Sequence, residues 1–187
     1  PEVYRYFDRL VDDAFFEDFD TVIFYGAGMS GYAAAAYSVA APGAIVLAVS
    51  PQATLDPALT SWDDRFTGER RRDFTSRYGF APDMIEAADA GYILFDPFDE
   101  LDAMHAALFR GPQVHKIRLP HGGGNLGRTV QEMSILGQIF RAAVAGSLSE
   151  RTLFRALRKR HDYLPYLRNL LNRLHVEERH YLIALLC

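Results

Sequence analysis

Thr21-Val22-Ile23-Phe24-Tyr25-Gly26-Ala27-Gly28-Met29-Ser30-Gly31-Tyr32, followed by alanines at 33–36, decides the architecture. A short apolar run stops at small residues and an alanine-rich helical pattern begins at once, which predicts a strand, a tight turn and a helix. Such turns serve two chemistries. They cradle a phosphate on the free N–H groups of a helix N-terminus, or they hold a nucleophile on a strand-to-helix elbow.

Outward from this unit the pattern repeats. Ala44 to Val49 is an uninterrupted apolar run, as a strand covered on both faces requires. Tyr92 to Phe95 and Val114 to Leu119 read as two further strands, the last alternating and so nearer an edge. Helices are expected before the first strand (Val3 to Phe19, broken near Asp12) and between strands (Gly31 to Val39, Gly68 to Tyr78, Pro82 to Ala90, Leu101 to Phe109). After the fourth strand come a single long amphipathic helix, Leu126 to Ala145, then Glu150 to His161 and Tyr163 to Leu186, broken near His175. Alternating strands and helices predict a three-layer α/β/α fold with a mostly parallel sheet, plus C-terminal helices. The expected division is an α/β unit over 1–148 and a basic helical segment over 149–187 packed on it. Ligands in such folds sit beyond the carboxyl ends of the strands, here Gly26 to Ser30, Ser50 to Gln52, Asp96 to Phe98, and Pro120 to Asn125.

The totals narrow the function. A net charge of −4 over 187 residues argues against nucleic-acid binding, and no apolar run is long enough to span a membrane. Cys187 is the sole cysteine, so no internal disulfide forms; with no leader-like opening segment, a reducing, cytoplasmic compartment is expected. Charge is uneven: from Arg151 onward eight Lys and Arg face three acids, leaving −9 on the preceding residues. Either the basic tail docks on its own acidic body or it seeks an acidic partner.

Gly26, Gly28 and Gly31 spell G-x-G-x-x-G between strand and helix, the context of a dinucleotide site. That reading needs an acid at the end of the next strand to hold a ribose. Val49-Ser50-Pro51-Gln52 offers none.

Ser30, Asp96 and His121 offer another reading. They stand in the chain order Ser, Asp, His, all on the carboxyl rim. His121 would take the proton of Ser30, Asp96 would orient the imidazole, and the turn at Gly26, Gly28, Met29 and Gly31 would hold the oxyanion.

Phe24-Tyr25-Gly26-Ala27-Gly28-Met29-Ser30-Gly31-Tyr32-Ala33-Ala34 resembles the F-Y-G-S-S-M-G-G-Y-A-A elbow of esterase-like α/β-hydrolases, and Val49-Ser50-Pro51-Gln52 resembles the strand that follows it. The resemblance covers roughly Thr21 to Ala145. It implies that the four strands are the last of the sheet and that earlier ones lie outside this chain. It also implies a small ester-type substrate and no cofactor.

Two positions depart from the pattern. The nucleophile's place falls on Gly28, with Ser30 two residues later, and the histidine's place falls on Gly124, three residues after His121. The chain is therefore either an esterase using Ser30, Asp96 and His121 or a catalytically degenerate relative. Ser30 equally suits a helix N-cap.

Asp96, Asp99, Asp102 and His105 share i, i+3 spacing, a pattern open to metal binding but also to carboxylates complementing a helix dipole, and no metal is expected. Arg70-Arg71-Arg72 reads as a solvated face, and Trp62 as a lid residue or a loop anchor. The leucine-rich C-terminal helices present enough apolar surface for a homodimer or a protein partner, the mark of an interaction module.

Overall fold

A computed structural model describes residues 2–186; Cys187, on which the compartment expectation rests, lies outside them. The strands are β1 (Ile23–Ala27), β2 (Ile45–Val49), β3 (Ala90–Phe95) and β4 (Val114–Arg118), paired in parallel in the order β1-β2-β3-β4. The helices are α1 (Glu2–Asp12), α2 (Met29–Tyr37), α3 (Pro57–Thr60), α4 (Ala81–Met84), α5 (Glu100–Leu108), α6 (Leu126–Glu132), α7 (Leu136–Val144), α8 (Glu150–Leu157), α9 (Leu164–Val176) and α10 (His180–Leu186).

The central strands are apolar throughout because both faces are covered. Val46 and Ala48 of β2, with Ile93 and Phe95 of β3, pack with Ala35 and Ala36 of α2, Ala81 of α4 and Ala106 of α5. Their neighbours Leu47, Val49, Tyr92 and Leu94 face the opposite way, into Leu126 and Val130 of α6, Ile139 of α7 and Leu153 and Leu157 of α8. The alanines of α2 let its backbone lie close on the sheet. Only Ile117 of β4 is fully buried, between half-buried or exposed His115, Lys116 and Arg118, as suits an edge strand.

Four aromatics seat α1 on this body. Phe7 stacks on Tyr37 at 4.4 Å, and Tyr4 meets Tyr78 edge-on at 5.0 Å. Arg77 joins Asp8 at 2.7 Å and lies over the Tyr78 ring.

Three expectations are corrected. The single helix over 126–145 is two, because Ser134 takes φ 53° between α6 and α7, which no helix accommodates. The segment 68–78 is not a helix but one 3-10 turn, Glu69–Arg71, whose chain is diverted by Asp73 accepting from the N–H groups of Thr75 and Ser76. And α2 begins at Met29, so Ser30 lies inside its first turn; the N-cap is Gly28.

The basic tail is not a separate layer. Leu153, Ala156 and Leu157 belong to the same core as β2 and β3. Its buried contact with the body is apolar, with hydrogen bonds at the margin from Tyr163 to Glu132 and from Asn169 to the His121 carbonyl, while among the described residues no Lys or Arg after position 150 forms an ion pair with an acid outside the tail.

Ile93→Ala, in the centre of β3, should cost about 2–5 kcal/mol in urea unfolding. Val144→Ala, on the exposed side of α7, should change the midpoint by no more than about 0.5 kcal/mol. Similar losses at both sites would contradict the core assignment.

Candidate functional site

The β1–α2 turn is built by absent side chains. A Cβ on Gly26 would overlap the carbonyl of Ser30, and one on Gly31 would press at 3.2 Å on Pro51. Gly28 differs. It takes φ 57° and ψ −125°, a region side chains rarely enter, yet nothing lies within 4 Å of where its Cβ would stand. Its N–H donates to Val49 O at 2.8 Å and its carbonyl accepts from Tyr32 N at 2.9 Å, so the turn is held at both ends.

Above it lies a cavity of about 290 Å³. Gly28 forms part of its lining, with Ser50 and Gln52 beyond β2, Asn125 before α6, and Arg65 and Asp102 at the side. Ser50 takes φ 44°. Ser50 Oγ and Gln52 Oε1 are buried without a hydrogen-bond partner among the described residues. Native proteins leave few such groups unmet, and strain beside them marks sites shaped for a task other than stability.

The wall formed by loop 51–67 is fixed by a buried pair that the sequence reading did not find. Asp63 and His105 are both fully buried. His105 Nδ1 accepts from Ala53 N at 3.1 Å, so Nε2 carries the proton and donates to Asp63 Oδ2 at 2.9 Å. Arg65 adds its own N–H, Nε and Nη2 to the same carboxylate, while Nη1 reaches Asp102 at 2.8 Å. Burial raises the Asp63 pKa, but these bonds more than offset it and hold it down to about 2. Burial pushes His105 below its ordinary value, against the pull of Asp63. Trp62 packs on the His105 ring at 4.6 Å and so anchors the loop.

The expected trio is divided. Asp96 is buried between rim loops, its Oδ1 accepting from Phe98 N at 2.9 Å and its Oδ2 from Gly123 N at 3.4 Å. His121 follows β4 at φ 62° and stacks on Phe98 at 4.7 Å, with Arg173 of α9 over the same Phe98 ring. Burial lowers the His121 pKa; Asp96 opposes this and Arg173 reinforces it. Ser30 is exposed on α2, and no side-chain hydrogen bond among the described residues joins it to His121 or Asp96. None of the three lines the cavity.

The carboxylates of the 96–105 series do not converge. Asp99 caps α5, Asp102 pairs with Arg65, and His105 turns to Asp63; no cluster of three metal-ligating side chains occurs among the described residues. No helix is long and apolar enough to cross a membrane. Comparison with protein-family models, curated proteins and solved structures finds no match.

Two outcomes test this geometry. Gly26→Ala should destabilise by about 3 kcal/mol or more through backbone overlap, and Gly28→Ala by about 1–3 kcal/mol through φ alone; equal effects in urea would contradict it. His105 is neutral when folded and titrates more readily when unfolded, so protonation favours unfolding. Stability should therefore fall as pH drops below about 6.5, and fall further from about pH 4 down to about pH 2, where Asp63 takes up a proton in the unfolded chain before it does in the folded one. In His105→Phe the first of these losses should vanish from the pH profile of the urea midpoint.

Proposed function

We propose that the chain is a catalytically degenerate relative of the α/β-hydrolases, a protein that binds a small neutral polar molecule over the β1–α2 turn without turning it over. One observation carries the reading. Gly28, where the resemblance places a nucleophile, has a side-chain-sized space above it that opens on the cavity, and no hydroxyl stands there. The unmet Ser50 Oγ and Gln52 Oε1 support a ligand with hydrogen-bond donors. The pairing of Arg65 with Asp63 and Asp102 supports a neutral one, since its charge is already met.

The nearness of Asp96 to His121 favours the other reading, an esterase whose nucleophile is displaced to Ser30. Labelling with a fluorophosphonate probe separates the two. A degenerate site leaves the folded protein unlabelled, with Ser30→Ala indistinguishable from it. Labelling that Ser30→Ala abolishes would overturn the proposal and make Ser30 the nucleophile.

A further inference from the structure

Two ten-residue segments carry opposite charge and no internal relief. Residues 11–20, VDDAFFEDFD, hold five acids and no cation; residues 151–160, RTLFRALRKR, hold five cations and no acid. None of these ten charges belongs to an ion pair among the described residues. Burying the rest of the chain has left both segments facing outward: every residue of 11–20 but Phe16 is exposed, as are Arg151, Arg155, Arg158 and Lys159.

Their shapes differ in a complementary way. The acidic segment borders a groove of about 490 Å³, lined by Val11, Phe16, Phe19 and Val22 against the chain at Ala40–Ala44, with Glu17 and Asp20 at its rim. The basic segment is convex. It is the outer face of α8, on which Phe154 projects, 42% exposed, between Arg151, Arg155 and Arg158. Phe154, amid cations, belongs to neither buried core among the described residues, and the groove sets apolar walls amid acids.

One chain cannot join them. The acidic segment leads into β1 and α8 packs beside β4, and these are the opposite edges of the sheet. Four strands separate the edges by ~14 Å of sheet before any side chain is added. The helix is also fixed by the buried Leu153, Ala156 and Leu157.

We propose that the occupant of the acidic groove is α8 of a second copy of this chain, with Phe154 entering the groove and Arg151, Arg155 and Arg158 meeting the acids around it. The contact is head-to-tail: each copy offers one groove and one helix, so assembly proceeds to a closed ring or an open chain of copies rather than to a two-fold dimer. Opposed charge speeds and orients the encounter and makes it salt-sensitive, while the aromatic supplies the apolar burial.

Light scattering and sedimentation velocity on the full chain test this, using two charge-reversed variants. One carries Arg151→Glu and Arg155→Glu, the other Asp13→Lys and Asp18→Lys. All four positions are exposed, and an unchanged urea midpoint verifies folding. The wild type should self-associate at low salt and dissociate as salt rises. Each variant alone, with the net charge of one segment cut from five to one, should associate about tenfold more weakly or not at all. Mixed together they should assemble again, since each then supplies what the other lacks. Phe154→Ala should weaken association of the wild type without changing its salt dependence. A wild type that stays monomeric at low salt and high protein concentration overturns the proposal. So does an assembly that both variants leave intact, or a mixture no more associated than its components, which would assign the basic face to an acidic partner of another kind.

Discussion

The bond between His105 and Asp63 is the constraint on which the rim of this molecule depends. The first part of loop 51–67 is held by burial of Ala53 and Leu55, but its later part runs over the surface, where a long connection ordinarily moves. Here it is held at three points of one buried network: Ala53 through its N–H, Trp62 through its ring, and Arg65 through the shared carboxylate. The cost of burying Asp63 is met by three donor groups of Arg65 as well as by the histidine. Arg65 is thereby fixed between Asp63 and Asp102, where it forms a wall of the cavity over Gly28. One wall of the cavity is thus set by a loop that a buried charge pair helps to hold.

The sheet was legible in the sequence because its signals are local. Each central strand is an apolar run bounded by glycine, proline or aspartate, and the crossover helices repeat between them. The glycines of the β1–α2 turn were legible for the same reason. What escaped is what depends on distant residues meeting. Asp63 and His105 are 42 positions apart, and nothing in either segment announces a buried pair. His105 stands on a helix face with Asp99 and Asp102, a spacing that directs attention to a shared ligand. The structure instead turns Asp99 and Asp102 to Arg65 Nη1, at 4.0 and 2.8 Å, and His105 to Asp63. The broken helix at Ser134 was hidden as well, because the apolar period runs on through the break and only the backbone reverses.

The candidate site shows the same division. Asp96 and His121 were named from their places after β3 and β4, and the fold joins Asp96 to Gly123, two residues beyond His121, but no side-chain hydrogen bond links the pair among the described residues. Ser30 was named because it is a serine close to a turn, but the helix begins one residue earlier and carries it outward. Gln52 and Ser50, which line the cavity and whose side-chain oxygens are buried without a partner among the described residues, carry no motif at all. They become visible only once burial and hydrogen bonding are known.

The most direct measurement is a titration of the isotope-labelled protein with small neutral esters, amides and polyols, followed through backbone and side-chain amide spectra. If the cavity is the binding site, the resonances that move will be those of Gly28, Met29, Ser50, the Gln52 side chain and Asn125, and the fragments will be recovered chemically unchanged. Shifts confined to other surfaces, or fragments returned as hydrolysed products, would contradict the account.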